Sequence, residues 1–248
     1  MILVVVLVEP AGPLNVGSVA RLCANFAIEQ LRLVAPRCDH LGPEARQMAV
    51  HGEALLEEAQ LYPDLATAIA DCQRVVATSG RIETESLPLS EPAPALNWLW
   101  HGTRGGPTGA LVFGREDRGL SNAELLQAGR LVRLATSEAY ASLNLSHAVA
   151  ICLHELQACR TQELRPGAPT PTALPDIDNL CHRGALEATL ADAEELLLEV
   201  GFLYPHTAAA RMAKLRALLQ RSQVQEAEVA LLRGMVRQLR WAARRGTP

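Results

Sequence analysis

The feature that most constrains the fold is the run of apolar residues 2–8 at the start of the chain. All seven are leucines or β-branched residues, without the alternation of apolar and polar side chains that a half-exposed strand shows. Such a run predicts a central strand of a parallel sheet, buried on both faces. It is far too short to span a bilayer, and no basic leader or cleavage site accompanies it. We therefore expect no membrane segment and no export.

Further strands and helices alternate along residues 1–160. Strands are predicted at 31–34, 74–78, 109–113 and 131–134, and helices at 16–26, 43–48, 53–60, 63–71, 122–127 and 145–158. Residues 81–108 are rich in proline and glycine and are predicted to be mostly loop, with a turn of helix at 95–100. This alternation predicts an α/β domain with a largely parallel sheet.

A second region follows the α/β domain. Residues 163–177 contain four prolines and are predicted to be a linker. Helices are then predicted at 178–200, 207–221 and 223–244. The expected organisation is thus an α/β domain over residues 1–162, the linker, and a helical extension over residues 178–248.

Charge is distributed unevenly along the chain. The net charge of −4 argues against a generic nucleic-acid binder, but residues 1–175 carry −5, residues 176–200 carry −6 and residues 201–248 carry +7. A basic tail behind an acidic helix suits contact with a polyanion. It equally suits pairing of the acidic and basic helices with each other, and the sequence leaves both interpretations open.

The cysteines point to a reducing environment. Six cysteines show no CxxC pair and no metal-ligand spacing with the seven histidines. We therefore expect a reduced, cytoplasmic protein without a metal ion.

Three loops carry polar residues where open α/β sheets bind ligands, which is beyond the carboxyl ends of the strands. In the first, Asn15 lies at a helix entrance and Arg21 follows on the same helix, an arrangement that suits an anion. The second places four charged residues between Gly114 and Gly119, directly after a buried strand. The third, residues 139–149, runs from a polar loop into an apolar helix. A helix entrance of this kind presents free N–H groups to a small polar ligand.

Each loop taken separately also fits a plain structural role. Asn15, Ser142 and Asn144 are residues that cap helices, and Arg115 with Glu116 fits a solvated ion pair.

Together and in this order, the three loops closely resemble the three motifs of the SPOUT RNA 2′-O-methyltransferases, also called the SpoU or TrmH superfamily. The matching residues are Asn15, Gly17 and Arg21, then Phe113, Gly114, Glu116, Gly119 and Leu120, then Ser142, Leu143 and Asn144. The resemblance covers all of residues 1–160. In the tail, residues 201–203, the Arg-rich helix and residues 228–234 resemble the C-terminal extension of the TrmJ subfamily, which methylates the ribose at position 32 of the tRNA anticodon loop.

The resemblance implies a parallel sheet whose C-terminal part is threaded into a deep trefoil knot, an exception to the rule that chains do not knot. It also implies that the knot loops hold S-adenosylmethionine, mostly through backbone groups. The implied cofactor residues are Thr78, Ser79, Gly80, Gly114, Leu134, Ser142, Leu143 and Asn144. Members of the superfamily form homodimers through the knot, so Arg21 is expected to reach the cofactor bound by the other subunit.

The implied chemistry is attack of a ribose 2′-hydroxyl on the methyl group of a sulfonium, with loss of the hydroxyl proton. The catalytic residues implied are Arg21, Asn15, Glu116, Ser142 and Asn144. Because arginine stays protonated in proteins, we favour a role in which Arg21 pairs with a substrate phosphate and orients the 2′-oxygen, while that phosphate takes the proton.

The tRNA substrate gives the basic tail a role in contacting the RNA backbone. The RNA-binding candidates are Arg21, Arg115, Arg211, Arg216, Arg237 and Arg240. The chain has only three residues each of Phe, Tyr and Trp, which argues against a stacking platform for single-stranded RNA. Recognition of folded shape and phosphate is expected instead.

Three other functions are less favoured. A dinucleotide-dependent oxidoreductase needs a G-x-G-x-x-G motif after the first strand, and residues 9–15 do not provide it. A non-catalytic RNA-binding homologue would not need the complete set of motif residues. A ribosomal-RNA 2′-O-methyltransferase of the same superfamily often carries an RNA-binding domain in front, whereas the first strand here begins at residue 2, and the helical extension favours tRNA.

Overall fold

The computed structural model describes residues 2–80, 89–102, 108–137, 139, 142–163 and 180–245. In this part of the chain, seven strands form one parallel sheet with the order β3-β2-β1-β6-β4-β7-β5. The strands are β1 (Ile2–Val8), β2 (Gln30–Val34), β3 (Gln60–Tyr62), β4 (Cys72–Thr78), β5 (Leu89–Ser90), β6 (Thr108–Phe113) and β7 (Arg130–Val132).

Helices cover both faces of this sheet. They are α1 (Pro13–Asn25), α2 (Pro43–Ala49), α3 (Glu53–Glu57), α4 (Leu65–Ala68), α5 (Pro92–Gly102), α6 (Asn122–Leu125) and α7 (Leu145–Glu163). The C-terminal region adds α8 (Arg183–Glu199), α9 (Pro205–Arg221) and α10 (Glu226–Arg245). The predicted α/β class with a parallel sheet and a helical C-terminal extension is confirmed.

The strand β1 is central, as its sequence predicts. It pairs with β2 on one side and with β6 on the other. Leu3, Val5 and Leu7 pack in a core with α1, α5 and α7, whereas Val4 and Val6 pack in a second core with α4 and α6. Burial of each such side chain contributes about 1.5–3 kcal/mol, so a strand without polar positions is held firmly in the middle of the sheet.

Two strands and part of one helix were missed by the prediction. The outermost strands β3 and β5 have only three and two residues, too few for a period to be recognised. Residue 60, predicted to end a helix, begins β3. The helix α5 is longer than the predicted turn of helix because its two prolines lie in the first turn, where proline is tolerated.

The helical extension packs on the amino-terminal end of β4 and on α6. It has a small core of its own around Leu186, Leu203 and Met212. The backbone N–H of Gly184 donates to the carbonyl of Ala70 at 2.9 Å, and the Gln220 side chain donates to the carbonyl of Leu126 at 2.7 Å.

Two predictions fall on residues outside the described part of the chain. Glu163 ends α7, and residues 164–177 of the predicted linker are not described, so the domain boundaries stay a prediction. The trefoil knot also stays a prediction, because residues 138, 140 and 141 between β7 and α7 are outside the described residues. Among the described helices, none is long and apolar enough to cross a bilayer.

Candidate active site

The three predicted loops meet at the carboxyl ends of β1 and β6. The Asn15 side-chain amide donates to Glu116 at 3.2 Å, and the Asn144 side-chain amide donates to the side-chain oxygen of Asn15 at 2.9 Å. One line of hydrogen bonds therefore joins a residue from each loop. The structure brings together Asn15, Glu116 and Asn144, as the resemblance implies.

Glu116 is a fixed anion that braces the first loop. Its carboxylate accepts the backbone N–H groups of Ala11 and Gly12, each at 3.1 Å, in addition to the Asn15 amide. Burial by itself raises the pKa of the Glu116 carboxyl, but these donors and its own backbone N–H favour the anion and hold the pKa below its ordinary value. A carboxylate with this many donors is a poor proton acceptor at neutral pH.

Asn144 has two functions in the structure. Its side-chain oxygen accepts the backbone N–H of Ser146 at 2.9 Å and the Ser146 hydroxyl at 2.8 Å, so it caps α7. Its side-chain N–H₂ group makes the link to Asn15. The oxygen of this amide therefore caps the helix, while its nitrogen links the third loop to the first.

Arg21 is exposed on α1, six residues after Asn15. Its guanidinium has no hydrogen-bond or ion-pair partner within the residues that the structure describes. An unengaged guanidinium beside the hydrogen-bonded loops is available to an external anion. Gly17, by contrast, serves packing, because a Cβ added there would lie 2.1 Å from the carbonyl oxygen of Ala45 on α2. The close approach that this glycine permits is between helices, not to a ligand.

Arg115 is not the free cation that the prediction of RNA binding assumes, because the structure places it in ion pairs within the chain. Its guanidinium donates to both carboxylate oxygens of Glu124, at 2.8 and 2.9 Å, and it also pairs with Glu9. Its side chain is only 10% exposed. Two carboxylates hold the terminal nitrogens of this largely buried cation, so its charge is already balanced within the chain. The alternative of a solvated pair between Arg115 and Glu116 is also wrong, since Arg115 pairs with other acids.

The loops expected to hold the cofactor lie side by side. Thr78 is the last residue of β4, and Ser79 and Gly80 follow it. Gly114 follows β6, Leu134 lies just beyond β7, and these three strands are neighbours in the sheet. The ends of the strands are tied together, because the Ser79 N–H donates to the carbonyl of Val132 at 2.9 Å. The Thr78 hydroxyl likewise donates to the carbonyl of Val112 at 3.3 Å.

Gly80 and Gly114 differ in the space that surrounds them. A Cβ added at Gly80 would meet no atom of the described residues within 4 Å, so that part of the chain leaves space on this side of the loop. A Cβ at Gly114 would lie 2.3 Å from the carbonyl carbon of Gly119, so Gly114 lets the second loop close on itself. Ser142 is exposed and Leu143 half-buried just before α7. The set is uncharged and rich in backbone groups, which fits a nucleoside better than a phosphate chain.

Known protein families match the α/β domain and the helical extension separately. Residues 2–154 match the model of the SpoU rRNA Methylase family. This chain belongs to the SpoU methylase family. Residues 184–248 match the model of the C-terminal domain of the tRNA methyltransferase TrmJ.

Curated relatives of this SpoU methylase match it over nearly its full length. The tRNA (cytidine/uridine-2′-O-)-methyltransferase TrmJ of Pectobacterium atrosepticum is 33% identical over 236 residues, which is 94% of each chain. The tRNA (cytidine/uridine/adenosine-2′-O-)-methyltransferase TrmJ of Pseudomonas aeruginosa is 32% identical over 97% of this chain and 94% of its own. The crystal structure of TrmJ from Z. mobilis ZM4 superposes with a TM-score of 0.82 at 28% identity, covering 96% of this chain and 99% of that one.

The basic tail of this SpoU methylase is partly neutralised by the acidic helix α8. Arg216 on α9 donates to both carboxylate oxygens of Glu187, at 2.9 to 3.0 Å. Arg240 on α10 donates to the carbonyl of Asp192 at 2.7 Å and lies 3.5 Å from the carboxylate of Glu195. These contacts correct the prediction that Arg216 and Arg240 bind RNA, because intramolecular acceptors already occupy them.

Two predicted RNA contacts keep their charge available. Arg211 and Arg237 are exposed, and neither pairs with a carboxylate of the described residues. Pairing of the acidic and basic helices, left open by the sequence, thus holds for some arginines and not for others.

The sequence interpretation missed the ion pairs behind the second loop. Ser121 and Glu124 form a capping box at the start of α6, a spacing that is visible in the sequence. The contact of Arg115 with Glu9 spans 106 positions and has no local signal. Among the described residues, no group of three or more His, Cys, Asp or Glu is placed to hold a metal ion.

Proposed function

We propose that this chain transfers a methyl group from S-adenosylmethionine to a ribose 2′-hydroxyl in tRNA. The observation that carries the proposal is the line of hydrogen bonds from Glu116 through Asn15 to Asn144, beside the unengaged guanidinium of Arg21. Membership of the SpoU methylase family and the activities named for both curated relatives support it.

Within tRNA, we place the modified nucleotide at pyrimidine 32 of the anticodon loop, the position that the resemblance to TrmJ implies. The helical extension supports tRNA over ribosomal RNA as the substrate, because residues 184–248 match the C-terminal domain of a tRNA methyltransferase. All six cysteines are free thiols, as in proteins of reducing compartments, which supports action in the cytoplasm.

The residues around the strand ends fit the proposed cofactor. S-adenosylmethionine supplies, when bound, an electrophilic methyl group on a sulfonium. We assign the binding of its adenosine part to Thr78, Ser79, Gly80, Gly114 and Leu134. Ser142, Leu143 and Asn144, at the entrance of α7, complete the proposed cofactor site. Their uncharged backbone-rich surface and the open space beside Gly80 support this assignment.

Arg21 is the residue we assign to the substrate. A guanidinium only donates hydrogen bonds, so it binds a phosphate next to the target ribose and holds the 2′-oxygen in line for attack. Glu116 is not assigned as the proton acceptor, because its carboxylate already accepts three hydrogen bonds that hold the first loop. The hydroxyl proton then leaves to the substrate phosphate, and Asn15 and Asn144 set the position of the helix that carries Arg21.

We also assign a homodimer that pairs through the predicted knot and the adjoining helices. The helices α1 and α7 pack side by side, and each exposes a large apolar residue, Leu14 on α1 and Ile151 on α7. Exposed apolar residues on adjoining helices are typical of a subunit interface. Arg21 on the same helix then faces the cofactor loops of the other subunit. Light scattering after size-exclusion chromatography tests this, and a monomer would contradict it.

The decisive experiment incubates the purified chain with labelled S-adenosylmethionine and unmodified tRNA transcripts, followed by digestion and identification of the methylated nucleotide. A 2′-O-methylated pyrimidine at position 32 is the expected result. Methylation of ribosomal RNA alone would retain the family and overturn the substrate. Cofactor binding without transfer to any RNA would point to a non-catalytic homologue.

The role of Arg21 has its own test. Arg21→Lys keeps the positive charge but loses the planar pair of donors, so we expect turnover to fall by about tenfold or more with little change in cofactor affinity. Turnover of the lysine variant close to that of the wild type would contradict the orienting role.

A further inference from the structure

The turn between α8 and α9 directs aromatic side chains outward. Phe202 is 61% exposed and Tyr204 is 56% exposed, whereas Leu203 between them is buried in the core of the helical extension. The Leu203 N–H donates to the carbonyl of Leu197 at 2.9 Å, and Gly201 takes the positive φ of +74° that ends α8. Because the turn is anchored from inside, the two exposed rings are held in place by the fold.

Each ring has a polar or cationic neighbour. The rings of Tyr204 and His206 stack with centroids 6.0 Å apart and an interplanar angle of 25°. The Arg211 guanidinium donates to the carbonyl of Phe202 at 3.1 Å, and its carbon lies 5.9 Å from the centre of the Phe202 ring. Arg211 pairs with no carboxylate in the described part of the chain, so its positive charge remains beside the exposed rings.

The positive charge continues along the outer side of α9. Arg211, Lys214 and Arg221 follow one another at helical spacing, and all three are exposed. Lys214 has no acidic partner in the described residues, whereas Arg216 faces α8 and is held by Glu187. The side of α9 that faces solvent is therefore basic, and it begins at the aromatic turn.

Exposed rings next to the cations of Arg211 and Lys214 suit nucleotides whose bases are accessible. Aromatic side chains stack on bases that are not paired, and arginine and lysine contact the phosphates between them. A base-paired A-form stem hides the faces of its bases and offers only backbone and groove edges. The same aromatic residues would have no role in binding a stem.

We propose that Phe202, Tyr204, Arg211 and Lys214 form a docking surface for unpaired nucleotides of the RNA substrate. This inference rests on the proposed tRNA methylation and specifies the part of the tRNA that the helical extension holds, namely loop nucleotides. It replaces the expectation of recognition by shape and phosphate alone. That expectation relied on the small number of aromatic residues, which says nothing about where they lie.

The test uses the full chain, a hairpin RNA with the sequence of an anticodon stem and loop, and a fully paired duplex of the same length. One loop base of the hairpin is replaced by 2-aminopurine, whose fluorescence is quenched by stacking. We expect Phe202→Ala and Tyr204→Ala each to raise the Kd for the hairpin by about tenfold and to abolish the quenching, with the Kd for the duplex unchanged. Phe202→Tyr keeps an aromatic ring and is expected to restore both.

Leu231 provides the control. It is a large apolar residue that is 67% exposed on α10, near the start of α8, as the contacts of the neighbouring Arg233 with Ala185 and Thr189 show, and so at the opposite end of α8 from the turn. Leu231→Ala is expected to leave the Kd for the hairpin unchanged. Equal losses for hairpin and duplex, or an unchanged Kd in Phe202→Ala and Tyr204→Ala, would overturn the docking surface.

Failure of the proposed function is distinguishable from failure of this inference. Suppose that the wild-type chain quenches the 2-aminopurine fluorescence of the hairpin through Phe202 but methylates no tRNA. That result would overturn the methyltransferase proposal and leave the docking surface standing. A Phe202→Ala variant that methylates tRNA with a wild-type KM would overturn the docking surface and leave the methyltransferase proposal standing. Circular dichroism of each variant confirms that the exposed substitution leaves the fold intact.

Discussion

Asn144 donates a hydrogen bond to the side-chain oxygen of Asn15 at 2.9 Å, although the two residues are 129 positions apart in the chain. Asn15 in turn donates to Glu116. Its side-chain nitrogen therefore donates to a carboxylate, and its side-chain oxygen accepts from the amide of Asn144. Only an amide satisfies both neighbours. The entrance of α1, which carries Arg21, is thereby tied to the entrance of α7.

This relationship predicts the behaviour of Asn144→Asp. A carboxylate keeps the oxygen that caps α7 but cannot donate to Asn15, and it places two acceptor oxygens against each other. We expect single-turnover methylation to fall by about tenfold or more, which corresponds to the 1–3 kcal/mol of an unsatisfied polar contact, with the helix content unchanged. Ser146→Ala, which removes only the hydroxyl partner of Asn144, is the control. Wild-type rates in Asn144→Asp would show that the link has no part in the reaction.

Acid stability depends on Glu9. The hydrogen bond from Arg115, with the nearby charges of Arg115 and Arg37, lowers the pKa of the Glu9 carboxyl to about 2. A lowered folded-state pKa means that the ionised carboxyl adds stability above its unfolded pKa of about 4.3, and that this stability is lost as the pH falls towards 2. Glu9→Gln should therefore be less stable than the wild type at pH 7 and 5, with a difference that shrinks towards pH 2.

Urea unfolding at each pH measures this difference. Glu58→Gln is the control, because Glu58 is an exposed carboxylate at the end of α3 and makes no ion pair with the second loop among the described residues. A gap between Glu9→Gln and the wild type that stays constant from pH 7 to pH 2 would argue against the Arg115 contact as its cause.

Two glycines in helices are expected to respond oppositely to alanine. At Gly17, a Cβ would lie 2.1 Å from the carbonyl oxygen of Ala45, so Gly17→Ala forces α1 and α2 apart and should destabilise the protein by about 1–3 kcal/mol. At Gly234, an added Cβ meets nothing within 4 Å, so Gly234→Ala should stabilise α10 by about 0.5–1 kcal/mol. Chemical denaturation of both variants checks the pair, and a stabilising Gly17→Ala would contradict the packing.

Alanine substitution of two basic residues of α9 is expected to affect different properties, protein stability for Arg216 and RNA affinity for Lys214. Arg216→Ala breaks the bidentate pair with Glu187 and should lower the free energy of unfolding by about 1 kcal/mol, with RNA affinity nearly unchanged. Lys214→Ala should leave stability unchanged, weaken RNA binding and reduce the slope of log K against log salt by about 1. Anisotropy titrations at several salt concentrations measure that slope. An equal loss of affinity in Arg216→Ala would mean that its ion pair opens on binding.

Much of the fold could be predicted because its elements carry local patterns. The apolar run of β1, the glycine and proline punctuation, and the helical spacing in α7 are each visible within a few residues. The missed strands β3 and β5 have no such pattern. Their residues become strands only because a neighbouring strand offers a free edge.

The candidate site was predicted as three separate loops, and the roles of its polar residues stay a prediction. Asn15, Glu116 and Asn144 come together as expected. The arginines were predicted less well, because an arginine that binds phosphate and one that pairs with a carboxylate look alike in a sequence. Arg115, Arg216 and Arg240 were assigned to RNA, and all three are held by acceptors of the same chain.

The sequence by itself indicated most of the strands and helices, the burial of β1 and the three polar loops, since each carries a pattern of residue types that is visible within a short segment. Only the tertiary structure decided which charges remain free and which aromatic residues face solvent. Those properties depend on which distant residue fills the space beside a side chain. A guanidinium is neutralised or available, and Phe202 is exposed while Leu203 is buried, according to packing across the whole chain.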